Sequence, residues 1–174
     1  MKQNGHPKSI VVTGGAGFIG SHLCEALLAE GHRVTAIDNF DPFYHPRIKE
    51  NNLSSIREHP HFQLLSIDIT DYTLLRSYFP EDTDVIVHLA AKAGVRPSID
   101  QPLQYQKTNV LGTQHLLEIA RDRHISQFVF GSSSSVYGVN DNVPWKESDP
   151  VLLPISPYAS SKVAEELLGR VYTH

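Results

Sequence analysis

The sequence predicts an α/β protein built as a doubly wound parallel sheet with helices on both faces. Short apolar, β-branched runs alternate with helical segments along most of the 174 residues, and that alternation requires crossover connections between parallel strands. A glycine-rich turn joins the first such run to the first helix. No repeat, low-complexity segment or composition break marks a linker, so one domain over 1–174 is expected.

Ser9-Ile10-Val11-Val12 reads as a buried strand, and Thr13-Gly14-Gly15-Ala16-Gly17-Phe18-Ile19-Gly20 follows it. Ser21 to Glu30 carries apolar residues at helical spacing and stops at Gly31. A second strand, Arg33 to Ile37, ends in Asp38. Strand, glycine turn, helix, strand and acid in this order form a dinucleotide-binding fingerprint. The glycines fit both Gly15-x-Gly17-x-x-Gly20 and Gly14-x-x-Gly17-x-x-Gly20. In such a turn the backbone approaches a pyrophosphate closely, and the helix N-terminus turns N–H groups and the positive end of its dipole toward it. Asp38, 18 positions after Gly20, suits an acceptor for ribose hydroxyls and disfavours a 2′-phosphate, so NAD is expected over NADP.

Asn39 to Pro46 is a turn-rich aromatic loop, and Arg47 to His59 is expected as a surface helix. Phe62 to Ile67 reads as a third strand ending at Asp68-Ile69, and Thr70 or Asp71 caps a helix through about Tyr78. Asp84 to Leu89 is a fourth strand that breaks at Ala90-Ala91-Lys92-Ala93-Gly94. A long helix is expected from about Pro102 to Arg123, then a fifth strand at Gln127 to Phe130. The serine cluster Ser132 to Ser135, a polar loop from Val139 to Ile155 and a last helix from Ser156-Pro157 to about Tyr172 complete the chain.

Composition narrows the function classes. The formal charge of −4 and the absence of a basic run argue against a nucleic-acid surface. No apolar stretch approaches membrane-spanning length, and Met1 to Lys8 is polar. Cys24 is the only cysteine, which with the polar N-terminus suggests a cytoplasmic protein. The ten histidines show no metal-ligand spacing, and His59 and His61 read as solvated loop residues. No metal is expected.

Tyr158-x-x-x-Lys162 carries the chemistry. Four apart on a helix, the two side chains project from one face. An ammonium beside a phenol favours the phenolate, as a general base requires. A serine at the C-terminal end of the fifth strand lies where open parallel sheets bind ligands, and its hydroxyl can hydrogen-bond the oxygen that gains or loses the proton.

These residues resemble the extended short-chain dehydrogenase/reductase family, the NAD-dependent epimerases and dehydratases. The resemblance rests on Gly14/Gly17/Gly20, Asp38, Asp68-Ile69, His88-Leu89-Ala90-Ala91, Asn109, Ser132 to Gly138 and Ser156-Pro157-Tyr158-x-x-x-Lys162, nearly the whole chain. It implies a Rossmann-type sheet in order 3-2-1-4-5 and a catalytic set of Ser133, Tyr158 and Lys162. It places Gly14, Gly17, Phe18, Ile19, Gly20, Asp38, Asn39, Asp68, Ile69, Leu89, Ala90, Ala91 and Asn109 with the cofactor, together with Tyr158 and Lys162. Ser133, Ser134 and Arg96 fall to the substrate. Dehydratases of the family carry an Asp-Glu pair directly after the catalytic residue. Here those positions are Ser134 and Ser135. Asp38-Asn39-Phe40 and Ala90 to Ile99 are most similar to UDP-glucuronate 4-epimerases.

The expected function is therefore NAD-dependent 4-epimerisation of a nucleotide sugar, of UDP-glucuronate or UDP-hexose type, by a homodimer. A net dehydrogenase on the same scaffold and a non-catalytic NAD-binding module are the alternatives. Family members continue into a C-terminal substrate domain, so the chain is expected to be the NAD-binding part of a longer protein.

Overall fold

Ser9–Thr13 is apolar or β-branched throughout, and as strand β1 all five of its residues are buried. Such a strand needs cover on both faces and a partner along each edge. In the computed structural model, which describes residues 6–151 and 153–173, β1 lies at the centre of a five-stranded sheet. Its neighbours are β2 (Arg33–Ile37), β3 (Phe62–Leu65), β4 (Val85–His88) and β5 (Gln127–Phe130). The order is β3-β2-β1-β4-β5 and every pairing is parallel. Val11, for example, lies between Thr35 of β2 and Ile86 of β4. The predicted fold class and strand order both hold. Part of the predicted N-terminal segment and one position of the 139–155 loop lie outside the described residues.

The chain divides into two compact units. One holds the residues up to Ala90 with Ala120–Phe130, and the other holds Ala91–Ile119 with the residues from Gly131 on. The first contains the whole sheet. Helix α1 (Phe18–Ala29) follows β1, and α2 (Pro46–Asn52) and α3 (Tyr72–Tyr78) follow β2 and β3. Its core joins Ile10, Val12, Val34 and Ala36 of the sheet to Cys24 and Leu28 of α1 and to Leu53 and Ile56 beyond α2. Burial pushes the Cys24 thiol up to about 12, so this cysteine is an inert core residue.

The second unit is helical. Short helices α4 (Val95–Asp100) and α5 (Pro102–Tyr105) lead into a π-helical segment, Gln106–Leu111, and then into α6 (Gly112–Asp122), which belongs to this unit as far as Ile119. A 3-10 turn, Ser134–Tyr137, and helix α7 (Pro157–Val171) follow. Ser156 caps α7 by accepting from the Ala159 N–H at 3.0 Å, with Pro157 at the first helical position. α7 buries Ala159, Ser161, Lys162, Val163 and Glu165, and packs against α4, α5, the π segment and the 3-10 turn.

Two expectations are corrected. The surface helix over 47–59 ends at Asn52, and its far part is a run of turns that buries Leu53 and Ile56. The single helix over 102–123 is interrupted by the π segment, and α4 precedes it. Asn109, fully buried, lies within that segment; one extra residue in the turn changes which side chains face inward.

Candidate functional site

In the first unit the glycine turn is closed by backbone packing. Gly14 has φ +67° and donates its N–H to Ile37 O at 2.7 Å. A Cβ on Gly14 would come within 2.8 Å of Ala90 N, and one on Gly20 within 2.2 Å of Gly14 O. Gly20→Ala should therefore destabilise the fold by at least the ~1–3 kcal/mol typical of overpacking and lower the thermal midpoint; an unchanged midpoint would refute this packing. Gly17, the N-cap of α1, has no side chain to cover the helix end, and the first turn carries no acidic residue. The first helical bond runs from Ser21 N to Gly17 O, so the N–H groups of Phe18, Ile19 and Gly20 precede the ladder. The Phe18 and Ile19 side chains are exposed.

Asp38 ends β2, nearly buried. Its Oδ2 accepts from Ala16 N at 3.2 Å, while Oδ1 accepts from Phe40 N at 2.9 Å and from the Lys49 ammonium at 2.8 Å. A carboxylate offers about four acceptor positions, which leaves one on Oδ2. Lys49 is 7% exposed and its ammonium also lies over the Phe40 and Tyr44 rings, 5.9 and 5.5 Å from their centroids. The sequence reading missed this ion pair, because it placed Lys49 on a surface helix. Beyond Asp38, exposed Asn39 donates to Asp68 Oδ2 at 3.0 Å, and Ile69 is buried. Leu89 and Ala90 donate their N–H groups to Thr13 Oγ1, both at 3.2 Å, and that hydroxyl also bonds His88 Nδ1 at 2.7 Å. Thr13 and His88 thus pin the end of β4 beside the glycine turn; both stand in the quoted motifs, which give neither of them this role.

In the second unit Asn109 ties the chain after Ala91 to α7. Its Oδ1 accepts from Lys92 N at 2.8 Å, and its Nδ2 donates to Lys92 O and to Ser161 Oγ at 3.1 and 2.9 Å. Ser161 lies between Tyr158 and Lys162 in sequence and donates to Tyr158 O at 2.8 Å. The Tyr158 ring meets Tyr105 edge to face, centroids 6.1 Å apart, and the Tyr105 hydroxyl donates to Ala93 O. Ser133 precedes the 3-10 turn, its Oγ accepting from Ser135 N at 3.2 Å, and Ser134 is exposed. Arg96 stands exposed on α4.

Lys162 is buried on α7. Its Nζ donates to Glu165 Oε2 at 2.7 Å, not to the Tyr158 hydroxyl. Burial pushes the Glu165 carboxyl up to about 7 against the opposing pull of Lys162, and nearby Glu166 adds to the rise. An acid whose folded pKa is raised binds its proton more tightly in the folded state. The stability it confers is present below the unfolded value of about 4.5 and is lost as pH rises through about 7. The thermal midpoint should accordingly fall between about pH 5 and pH 7 and fall less in Glu165→Gln; parallel curves would show that Glu165 does not titrate there.

No helix among the described residues is long and apolar enough to cross a membrane. Among the same residues no group of three or more His, Cys, Asp or Glu could hold a metal ion.

The family model for GDP-mannose 4,6 dehydratase matches residues 11–174. A UDP-glucuronate 4-epimerase of Thermodesulfobacterium geofontis is 38% identical over 165 residues, 94% of this chain and 51% of the relative. The crystal structure of UDP-glucuronic acid 4-epimerase from Bacillus cereus, in complex with UDP-glucuronic acid and NAD, superposes with a TM-score of 0.81 at 39% identity. That match covers 94% of this chain and 52% of the other. The UDP-Glc/GlcNAc 4-epimerase of Campylobacter jejuni gives a TM-score of 0.85 at 30% identity, over 95% of this chain and 49% of its own. The chain spans about half the length of the curated relatives it matches.

Proposed function

We propose, since this chain belongs to the GDP-mannose 4,6-dehydratase family of nucleotide-sugar epimerases and dehydratases, that it serves the NAD-dependent 4-epimerisation of a UDP-sugar, UDP-glucuronate first. The observation that carries epimerase over dehydratase is the 3-10 turn after β5, where Ser134 and Ser135 follow Ser133 with no carboxylate at either position. Elimination of water needs an acid and a base beside the sugar, and two hydroxyls supply neither at neutral pH.

The residues of the first unit fit NAD. The glycine cradle leaves no room for a Cβ, and the uncapped start of the 12-residue α1 offers N–H groups to a pyrophosphate. Asp38 Oδ2 keeps one acceptor position for a ribose hydroxyl, while Asn39, Asp68 and Ile69 lie beyond it for the adenine side. Bound NAD supplies a hydride acceptor that later returns the hydride. In the second unit Tyr158, as phenolate, takes the proton of the sugar C4 hydroxyl. Ser133 hydrogen-bonds that oxygen, and Lys162 holds the nicotinamide ribose and favours the ionised phenol. Asn109 keeps the segment after Ala91 in place, and Arg96 and Ser134 face the substrate.

NMR of UDP-glucuronate incubated with the protein and NAD tests this reading. The C4 epimer should appear with no accumulation of NADH; steady NADH release would replace it with a net dehydrogenase. Ser133→Ala should slow turnover by about tenfold or more at near-normal NAD affinity, with Ser134→Ala doing less, as expected of one hydrogen bond to the reacting oxygen. Equal effects of the two would reverse their roles.

The same reading includes a homodimer and a cytoplasmic location. In its favour, α4, α5, the π segment and α7 expose Ile99, Leu103, Leu111, Leu167 and Val171, apolar residues that a second copy would cover. Light scattering should give twice the chain mass; a monomer at high concentration would remove the dimer from the reading.

A further inference from the structure

The buried Lys162–Glu165 pair offers something the proposed reaction does not use. Lys162 is 4% and Glu165 1% exposed, three apart on α7, and joined at 2.7 Å. An ammonium has three donors, and among the described residues Lys162 spends one, on Glu165 Oε2. Glu165 Oε1 is buried with no hydrogen-bond partner among the same residues. Burying two charges in a helical unit costs stability unless the geometry is used. The carboxylate fixes one N–H of the ammonium, and the other two have no hydrogen-bond partner among the described residues.

We propose that Glu165 is a positioning residue for the cofactor, anchoring the Lys162 ammonium so that its two remaining N–H groups are presented to the hydroxyls of a ribose. The inference rests on the reading above in which Lys162 contacts the NAD ribose. Glu165 acts only through Lys162: with a fully buried carboxylate and no exposed face, it has no route of its own to solvent. Without the anchor the lysine side chain regains its rotamer freedom, and each binding event must order it again. The carboxylate also offsets part of the ammonium field that favours the Tyr158 phenolate. Its loss therefore has a second signature, a downward shift of the acidic limb of the pH–rate profile.

Calorimetric titration of the chain with NAD tests this in four forms: unmodified, Lys162→Ala, Glu165→Gln and the double variant. At pH 8, above the value of about 7 to which burial pushes Glu165, Glu165→Gln keeps the shape and an acceptor oxygen but removes the charge. Glu165→Asp keeps the charge but withdraws it by one methylene, and serves if the Gln form does not fold. Either should weaken NAD binding by about tenfold, a change of ~1.4 kcal/mol. Lys162→Ala should weaken it at least as much, and the double variant no further, because the two act through one contact. Unmodified affinity in both folded Glu165 variants, or a double variant weaker by the product of the single effects, would overturn the anchor. Unchanged affinity in Lys162→Ala would instead remove the ribose contact itself, and the inference with it.

Discussion

Under the proposed function, Tyr158→Phe should slow C4 epimerisation by ~10²–10⁴-fold, the usual worth of a positioned general base, with NAD affinity little changed. The phenol oxygen is the group assigned to accept the C4 hydroxyl proton, and phenylalanine keeps the ring. That ring holds the edge-to-face contact with Tyr105, whose own hydroxyl donates to Ala93 O at 2.7 Å. Packing of α7 against α5 should therefore survive, and the loss should fall on turnover with the thermal midpoint little changed. Near-normal turnover in Tyr158→Phe would make Tyr158 and Lys162 an ordinary helical pair and withdraw the proposed mechanism.

Asp38→Asn should be among the most destabilising single changes in the first unit. The carboxylate is 5% exposed and its partner Lys49 7%, so removing the charge strands a buried ammonium. Breaking a buried pair in this way typically costs ~3–5 kcal/mol, whereas removing both charges together is often neutral. Asp38→Asn combined with Lys49→Met should thus regain most of the lost thermal midpoint. A single variant as stable as the unmodified protein would mean that the pair is solvated in solution. The same substitution bears on the cofactor. Lys49 offsets part of the Asp38 charge, so the preference for NAD over NADP depends on the acceptor geometry at Oδ2 as well as on repulsion of a 2′-phosphate. Asp38→Asn should narrow the preference in parallel titrations with the two nucleotides. Equal affinities in the unmodified protein would contradict the role given to Asp38.

Much of this molecule follows from neighbours in sequence. Ser9–Thr13 and Arg33–Ile37 read as strands because buried β-branched runs have one economical conformation. Thr70 or Asp71, and Ser156, read as helix starts because a short polar side chain reaches the N–H three residues on; the bonds form from Leu74 N to Asp71 and from Ala159 N to Ser156, both at 3.0 Å. A parallel sheet with helices on both faces follows from the alternation of elements and the hand of the crossovers, whereas its order 3-2-1-4-5 is what the family resemblance implies. Asp38, Tyr158 and Lys162 are candidates from motif spacing, and Ser133 is singled out from its serine cluster by the family resemblance.

Tertiary structure decided what those side chains touch. Lys162 had a hydroxyl four residues back and a carboxylate three residues on, both on its face of α7; burial favoured the group that could neutralise it. Lys49 looked like a surface cation until Leu53 and Ile56 entered the core and carried the end of α2 against Asp38. The π segment at Gln106–Leu111 has no local signature, since helical propensity does not distinguish the extra residue in the turn. It seats Asn109 between Lys92 and Ser161, 17 residues before it and 52 after it. Spacing along the chain can mark which residues share a face, but a buried charge or amide takes the partner that packing brings within 3 Å, because in the interior no water will substitute for it.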